Sequence, residues 1–424
     1  MILELFHLIF LLMLFLFLAH LVGVLFDWIG QPRMIGEIVA GLILGPTLMG
    51  YGLPVQHRAI FDLPPWGGVA LNALSQAGVL LQMFCSGVEV RSIFREGERK
   101  VALLITATGI VIPFALGYLT LDLMDASKLL GPAKDITAFN LIFGVALAVT
   151  SIPVISRIFF DLGILKSAFA RTVLSAAILE DLLLYTILAI ALSLVDYSVL
   201  EFSLPHLLGF ENNLETSIAW RLASSVCFLA FSLAFGPKFF RRIEERRRQR
   251  TRDGDSIFLL LGVLSATVGV TMLFGITPIF GALVAGIVIS SSENHESRAY
   301  KIIKSVGFKY FIPLYYVMVG LKIDLVHYLD LSLFVGFIAF ASLVKILGVY
   351  LGGKLAGKPH WDALNLAIAM NARGGPGIIL AVVSFRAAII NERFYTLLVM
   401  LSILTSIMAA IWLKYVLRNQ WRLA

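Results

Sequence analysis

Apolar residues run through this chain in long blocks, each close to the ~20 residues a helix needs to cross a bilayer, with short polar loops between them. About thirteen such blocks predict transmembrane helices. They lie at 2–26, 32–50, 68–90, 101–121, 138–160, 168–195, 216–240, 256–274, 276–292, 308–323, 331–356, 362–388 and 394–417. The ninth is short and depends on a break at Gly275-Ile276-Thr277-Pro278, so a neighbouring count stays open. Over 424 residues, 59% are hydrophobic and only 14% charged. That balance excludes a soluble domain and predicts an all-α polytopic membrane protein. The first block carries Glu4, lacks a basic start and a small-residue cleavage site, and is too long for a signal-peptide core. It reads as a retained span.

Charge in the loops alternates. Basic residues follow the odd-numbered spans: Arg91, Arg95, Arg99 and Lys100; Arg157, Lys166 and Arg171; the run Lys238 to Arg252; Arg298, Lys301, Lys304 and Lys309; Lys354 and Lys358; and Lys414, Arg418 and Arg422 in the tail. The intervening loops carry Asp122, Asp125 and Asp135, or Glu201, Glu211 and Glu215. This pattern places the N-terminus outside and the C-terminus in the cytoplasm. It also accounts for the excess of Lys and Arg, 34 against 27 acids, without a nucleic-acid partner. The run Arg241–Arg252 reads as a topology determinant, with an acidic-lipid patch as the competing reading. Cys85 and Cys227 sit in apolar blocks without CxxC spacing and read as small buried hydrophobes.

An internal repeat underlies the spans. Ile35-Gly36-Glu37-Ile38-Val39-Ala40-Gly41 of span two matches Phe280-Gly281-Ala282-Leu283-Val284-Ala285-Gly286 of span nine. Ser86-Gly87-Val88-Glu89 of span three matches Val319-Gly320-Leu321-Lys322 of span ten. Spans five and twelve are both interrupted, at Thr150-Ser151-Ile152-Pro153 and at Asn371-Ala372-Arg373-Gly374-Gly375-Pro376. The partners lie an odd number of spans apart, so the copies have opposite orientation: an inverted-topology repeat with two broken crossing helices.

The polar residues inside these spans carry the chemistry. Glu180 and Asp181 sit mid-way along span six and Lys345 lies inside span eleven. Charges at that depth are functional candidates. Backbone freed at the two breaks must line a cavity or be buried in protein. Its carbonyls, with the Thr150 and Ser151 hydroxyls, are hard oxygen ligands suited to sodium or potassium. Pro153 removes a donor, and Gly374-Gly375-Pro376 cannot continue a regular helix. Arg373 reads either as neutralising the half-helix ends or as an interfacial arginine. Adjacent residues on a helix point about 100° apart, so the two acids take different roles. Asp181, buried without a fixed partner, would hold a proton near neutral pH and exchange it for a cation. Glu180 paired to Lys345 would be the structural half; a purely structural ion pair is the competing reading, and it leaves Asp181 unexplained.

These motifs resemble the monovalent cation:proton antiporter superfamily, and within it the cation:proton antiporter-2 branch. The residues carrying the resemblance are Pro32, Ile35-Gly36-Glu37-Ile38, Gly41, Leu44-Gly45-Pro46, Leu80 to Phe84, Gly87-Val88-Glu89, Gly281-Ala282, Ala285-Gly286, Pro313 to Tyr316, Gly320-Leu321 and Arg373-Gly374. The resemblance implies that Asp181 binds ion and proton, that Glu180 pairs with Lys345, and that a core domain moves against a dimerisation domain in an elevator-type motion. It implies a homodimer, no enzymatic activity and no cofactor beyond the transported cation and proton. The implied division is a scaffold at 1–100, core at 101–197, linker span and scaffold at 198–330, and core at 331–424. Glu180 departs from the family's usual Asp, Asn or Gln. The chain also stops soon after its last span, so no cytosolic regulatory domain is expected.

The resulting expectation is a sodium/proton or potassium/proton antiporter in a bacterial inner membrane. A non-transporting sensor or assembly subunit of the same fold is the rival. An organic-anion symporter is disfavoured by the two acids.

Overall fold

The computed structural model describes residues 2–89, 99–120, 126–165, 167–195, 204–207, 214–250, 257–290 and 297–419, and these are almost wholly helical. In chain order the helices are α1 (Ile2–Trp28), α2 (Arg33–Leu44), α3 (Pro54–Phe61), α4 (Pro65–Glu89), α5 (Arg99–Thr120), α6 (Ile136–Ala148), α7 (Ile152–Asp161), α8 (Ala168–Leu194), α9 (Leu204–Leu207) and α10 (Leu214–Arg250). They continue with α11 (Ile257–Leu273), α12 (Pro278–Ser290), α13 (Arg298–Val306), α14 (Ile312–Gly320), α15 (Leu325–Tyr328), α16 (Leu331–Leu355), α17 (His360–Met370), α18 (Gly374–Arg386) and α19 (Glu392–Arg418). Among the described residues eight helical stretches are long and apolar enough to cross a membrane, two of them, Arg33–Gly50 and Arg298–Gly320, extending beyond α2 and running through α13 and α14, respectively. The number is nine if α17 and α18, bent by 42°, form one broken span; α6, α11 and α12 are shorter apolar helices. The loop residues Arg91, Arg95, Asp122, Asp125, Lys166, Glu201, Glu211, Arg252 and Arg422 lie outside the described residues.

The chain divides into two compact units. One comprises Met1–Leu16, Asp62–Ser92 and Asp196–Tyr316; the other comprises Phe17–Phe61, Ile93–Val195 and Val317–Ala424. Residues 17–61, assigned to a scaffold by the sequence reading, lie in the second unit with the broken helices.

Glycine contacts organise both units, because lipid supplies no hydrophobic drive between helices and bare backbones can approach closely. In the first unit a Cβ on Gly87 would collide with Leu283 of α12, and one on Gly286 would collide with Phe84 of α4. In the second, Gly41 of α2 and Gly320 of α14 exclude a Cβ on each other in the same way. Val39-Ala40-Gly41 aligns with Val284-Ala285-Gly286, and Gly87 aligns with Gly320. The two close contacts are therefore images of one another under the inverted repeat.

The breaks differ from expectation in their placement. The interruptions expected over Thr150–Pro153 and Asn371–Pro376 are shorter: Pro153 falls in the first turn of α7, and Gly374, Gly375 and Pro376 form the first turn of α18. The irregular residues are 149–151 and 371–373. A first helical turn has no intrahelical partner for its N–H groups, so proline fits there without loss.

Candidate ion-binding site at the crossed broken helices

The two breaks dock on each other. The Ser151 N–H donates to the Ala372 carbonyl at 2.6 Å, and the Thr150 hydroxyl donates to the Met370 carbonyl at 2.6 Å. Gly374 adopts φ +40°, where a side chain would be strained. A Cβ there would also stand 2.7 Å from Ser151 Oγ. Only glycine lets the strands of the crossing meet.

Ending α6 at Ala148 exposes the carbonyls of its last turn, the negative end of the helix dipole. Two buried cations cover them. Arg373 Nε donates to Ala146 O at 3.0 Å and Nη2 to Leu147 O at 3.1 Å. Nη2 also reaches Ala341 O at 2.7 Å, and Nη1 reaches Asn371 Oδ1 at 2.7 Å. The planar guanidinium, with five donors, suits this divergent set in a way a lysine could not. The Arg373 backbone N–H donates to Thr405 Oγ1 at 3.4 Å. Lys345 Nζ donates to the Ala148 carbonyl, to Gly109 O at 3.3 Å and to Glu180 Oε1 at 2.7 Å.

Glu180 and Lys345 are completely buried, so this is an ion pair withdrawn from solvent. Asp181 is 3% exposed, and its Oδ1 accepts no hydrogen bond among the described residues. The helix bearing both acids, α8, packs against α6, α7 and α17, the helices that border the two breaks. The structure thus gathers Thr150, Ser151, Asn371, Arg373 and Gly374 at the crossing and Glu180 with Lys345 beside it. Gly375 and Pro376 are buried in α18 and have no polar side-chain atom to offer an ion.

Residues 13–419 match the family model described as sodium/hydrogen exchanger, transmembrane. The chain belongs to that family. It is 28% identical over 399 residues to the Na+/H+ antiporter NhaS4 of Synechocystis sp., covering 93% of each chain. It is 28% identical over 383 residues to Cation/H+ antiporter 18 of Arabidopsis thaliana, covering 89% of this chain and 45% of that one. The chain therefore spans about half the length of that plant relative. The fold is that of the sodium/proton antiporter MjNhaP1 of Methanocaldococcus jannaschii, with a TM-score of 0.67 at 16% identity, covering 97% of each chain.

Gly109 also shapes this exchanger's site, although nothing in its own stretch of sequence marks it. On α5, facing α16, it leaves room for the ion pair: a Cβ there would stand 2.9 Å from Glu180 Oε1 and 3.5 Å from Lys345 Nζ. A readable signal existed in Gly348 and Gly352 of α16, whose four-residue spacing marks a close helix contact. Both do meet α5 backbone at Thr108 and Ile105. Gly109→Ala is expected to lower the melting temperature in detergent by several degrees. Gly262→Ala, where a Cβ would meet nothing, is expected to leave it unchanged. Equal melting temperatures for the two variants would refute the packing role.

Proposed function

We propose that this chain is a secondary antiporter that exchanges sodium or potassium for protons at Asp181. The observation that carries the reading is a buried acid, Asp181, with no ion pair among the described residues and Oδ1 without a hydrogen bond, beside an acid whose Oε1 is held by Lys345 and whose Oε2 is likewise unbonded. Lys345 and Arg373 supply two positive charges and Glu180 one negative. Asp181 carrying a proton, or ionised and holding one monovalent cation, leaves the same net charge at the site. The two forms are electrostatically interchangeable, as exchange requires. The Thr150 and Ser151 hydroxyls are the further oxygen ligands, since Arg373, Lys345 and the contacts between the breaks already engage the carbonyls of residues 146–148 and 370–372. Glu180, held by Lys345, keeps the broken helices together.

The membership of the family and the inverted repeat support an elevator-type motion of a core containing α5–α8 and α16–α19 against a scaffold, in a homodimer. Loop charge supports about thirteen spans with the N-terminus outside and the C-terminus in the cytoplasm, in a bacterial inner membrane. The test is reconstitution in proteoliposomes with an internal pH dye. A cation pulse that moves protons supports exchange. Silence supports the non-transporting sensor, and substrate uptake without proton flux supports the symporter.

One shared site also sets the pH dependence. Protons displace cation, so cation binding strengthens as pH rises and levels off once Asp181 is deprotonated. Below that level one proton per site predicts about tenfold weaker binding per pH unit. Calorimetry or flux across a pH series checks the slope. A cation affinity that does not change with pH defeats the single-site reading.

A further inference from the structure

The second unit holds another buried acid, away from the crossing. Glu37 on α2 is nine-tenths buried at 9% exposure, and among the described residues no hydrogen bond reaches it. Its Cγ lies over Gly23 of α1, whose missing side chain leaves room for it. Gly36 meets the Gly23 backbone and Gly41 meets Gly320, so α2 is closely packed on both sides of this acid. An unpaired carboxyl group in such a place either carries a proton or draws a cation.

The surrounding charges do not offer a fixed partner. Arg33, one turn before Glu37, acts on it through its charge but makes its ion pair with Asp27, at 2.7 Å. The other Asp27 oxygen accepts from Arg157 of α7 at 3.2 Å. On α1, His20 is exposed. Lys414 of α19 stands by Gly30, in the turn before α2. Leu321 packs at Gly45, which puts Lys322 at the opposite end of α2, roughly 12 Å along the helix from Glu37. The remaining neighbours on α14, Val317 and Gly320, are uncharged.

Position gives this acid its meaning. Asp27 joins the start of α2 to α7, so Arg33 and Arg157 mark one common level. Glu37 lies four residues, roughly 6 Å, inside Arg33. Arg157 lies six residues, roughly 9 Å, from the break at Ser151. Glu37 therefore stands between the Asp27–Arg33–Arg157 cluster and the level of the broken helices.

We propose that Glu37 is a second proton-binding group of this exchanger, taking up a proton at the end marked by Asp27, Arg33 and Arg157 and handing it towards the Asp181 site. The proposal rests on the reading of Asp181 as the exchanging acid. Each cycle forms one O–H bond on the Glu37 carboxylate and breaks it again, with water carrying the proton onward.

The test uses the full chain in proteoliposomes, with infrared difference spectra recorded across a pH titration. The wild type is expected to show two buried carboxyl signals, one lost in Asp181→Asn and the other in Glu37→Gln. Glu37→Gln is expected to keep its cation affinity at alkaline pH, to lose about tenfold in maximal rate near neutrality, and to show a shifted pH profile. Glu37→Asp, which keeps a titratable group, is expected to recover most of the rate. If Glu37→Gln does not fold, Glu37→Asp decides: a displaced pH profile supports the relay, and an unmoved one overturns it. A wild type that exchanges, with Glu37→Gln matching it in profile and carboxyl signal, overturns this proposal alone. A wild type silent in exchange overturns the Asp181 reading as well.

Discussion

Asp181→Asn is expected to abolish cation-driven proton movement while the protein still folds and inserts. Asparagine keeps the shape and the hydrogen-bonding capacity but cannot exchange a proton for a cation. Folding is expected to survive because Asp181 makes no hydrogen bond through Oδ1 among the described residues, so no partner is stranded. Proteoliposomes carrying the variant should give a dye response equal to empty vesicles, whereas wild-type vesicles respond to sodium or potassium. The same preparation should melt within a few degrees of the wild type. Cation-coupled proton flux retained in a folded Asp181→Asn protein would rule out this acid as the exchange site.

Lys345→Ala is expected to act on stability instead. The lysine lies between Glu180 Oε1 and two backbone carbonyls, at Gly109 and Ala148, with no exposed surface. Removing it leaves a buried carboxylate without compensation, a loss of roughly 3–5 kcal/mol. Glu180→Gln on that background removes the stranded charge and should restore part of the loss. Glu180→Gln alone strands the ammonium in turn, although the Ala148 and Gly109 carbonyls still receive it, so its effect should be smaller. Melting temperatures of the wild type, the two single variants and the double variant form the cycle that isolates the pair. A double variant no more stable than Lys345→Ala would show that the two side chains act independently.

Much of this arrangement was legible along the chain because a bilayer penalises every exception to apolarity. Glu180, Asp181 and Lys345 stand out against their apolar blocks, and a charge placed there needs a reason. The glycines of Val39-Ala40-Gly41 and Val284-Ala285-Gly286 were legible for a related reason: a helix gives up side-chain area only where another backbone must come close. The exact extent of the breaks was less legible. Proline and glycine signal a disturbed helix, but the same residues suit a first helical turn, and the structure places Pro153 and Pro376 there. The role of Gly109 was not read at all, since its meaning lies in a neighbour 71 positions away on α8 and another on α16.

Two kinds of information therefore separate cleanly. Hydrophobic pattern and internal repeat determined by themselves that the chain is an all-helical membrane protein with inverted halves and two acids mid-way along an apolar span, because these depend on local transfer energies that add along the sequence. Only the tertiary structure decided that Glu180 takes the lysine, and that Arg373 spreads over the carbonyls of Ala146, Leu147, Asn371 and Ala341. It also decided that Asp181 Oδ1 is left without a hydrogen bond. The contacts of Lys345 with Glu180 and of Arg373 with Ala146 and Leu147 depend on which helix ends meet across 165 to 227 residues in sequence, and a hydrogen bond a few ångströms long is set by packing, which no stretch of the chain records alone.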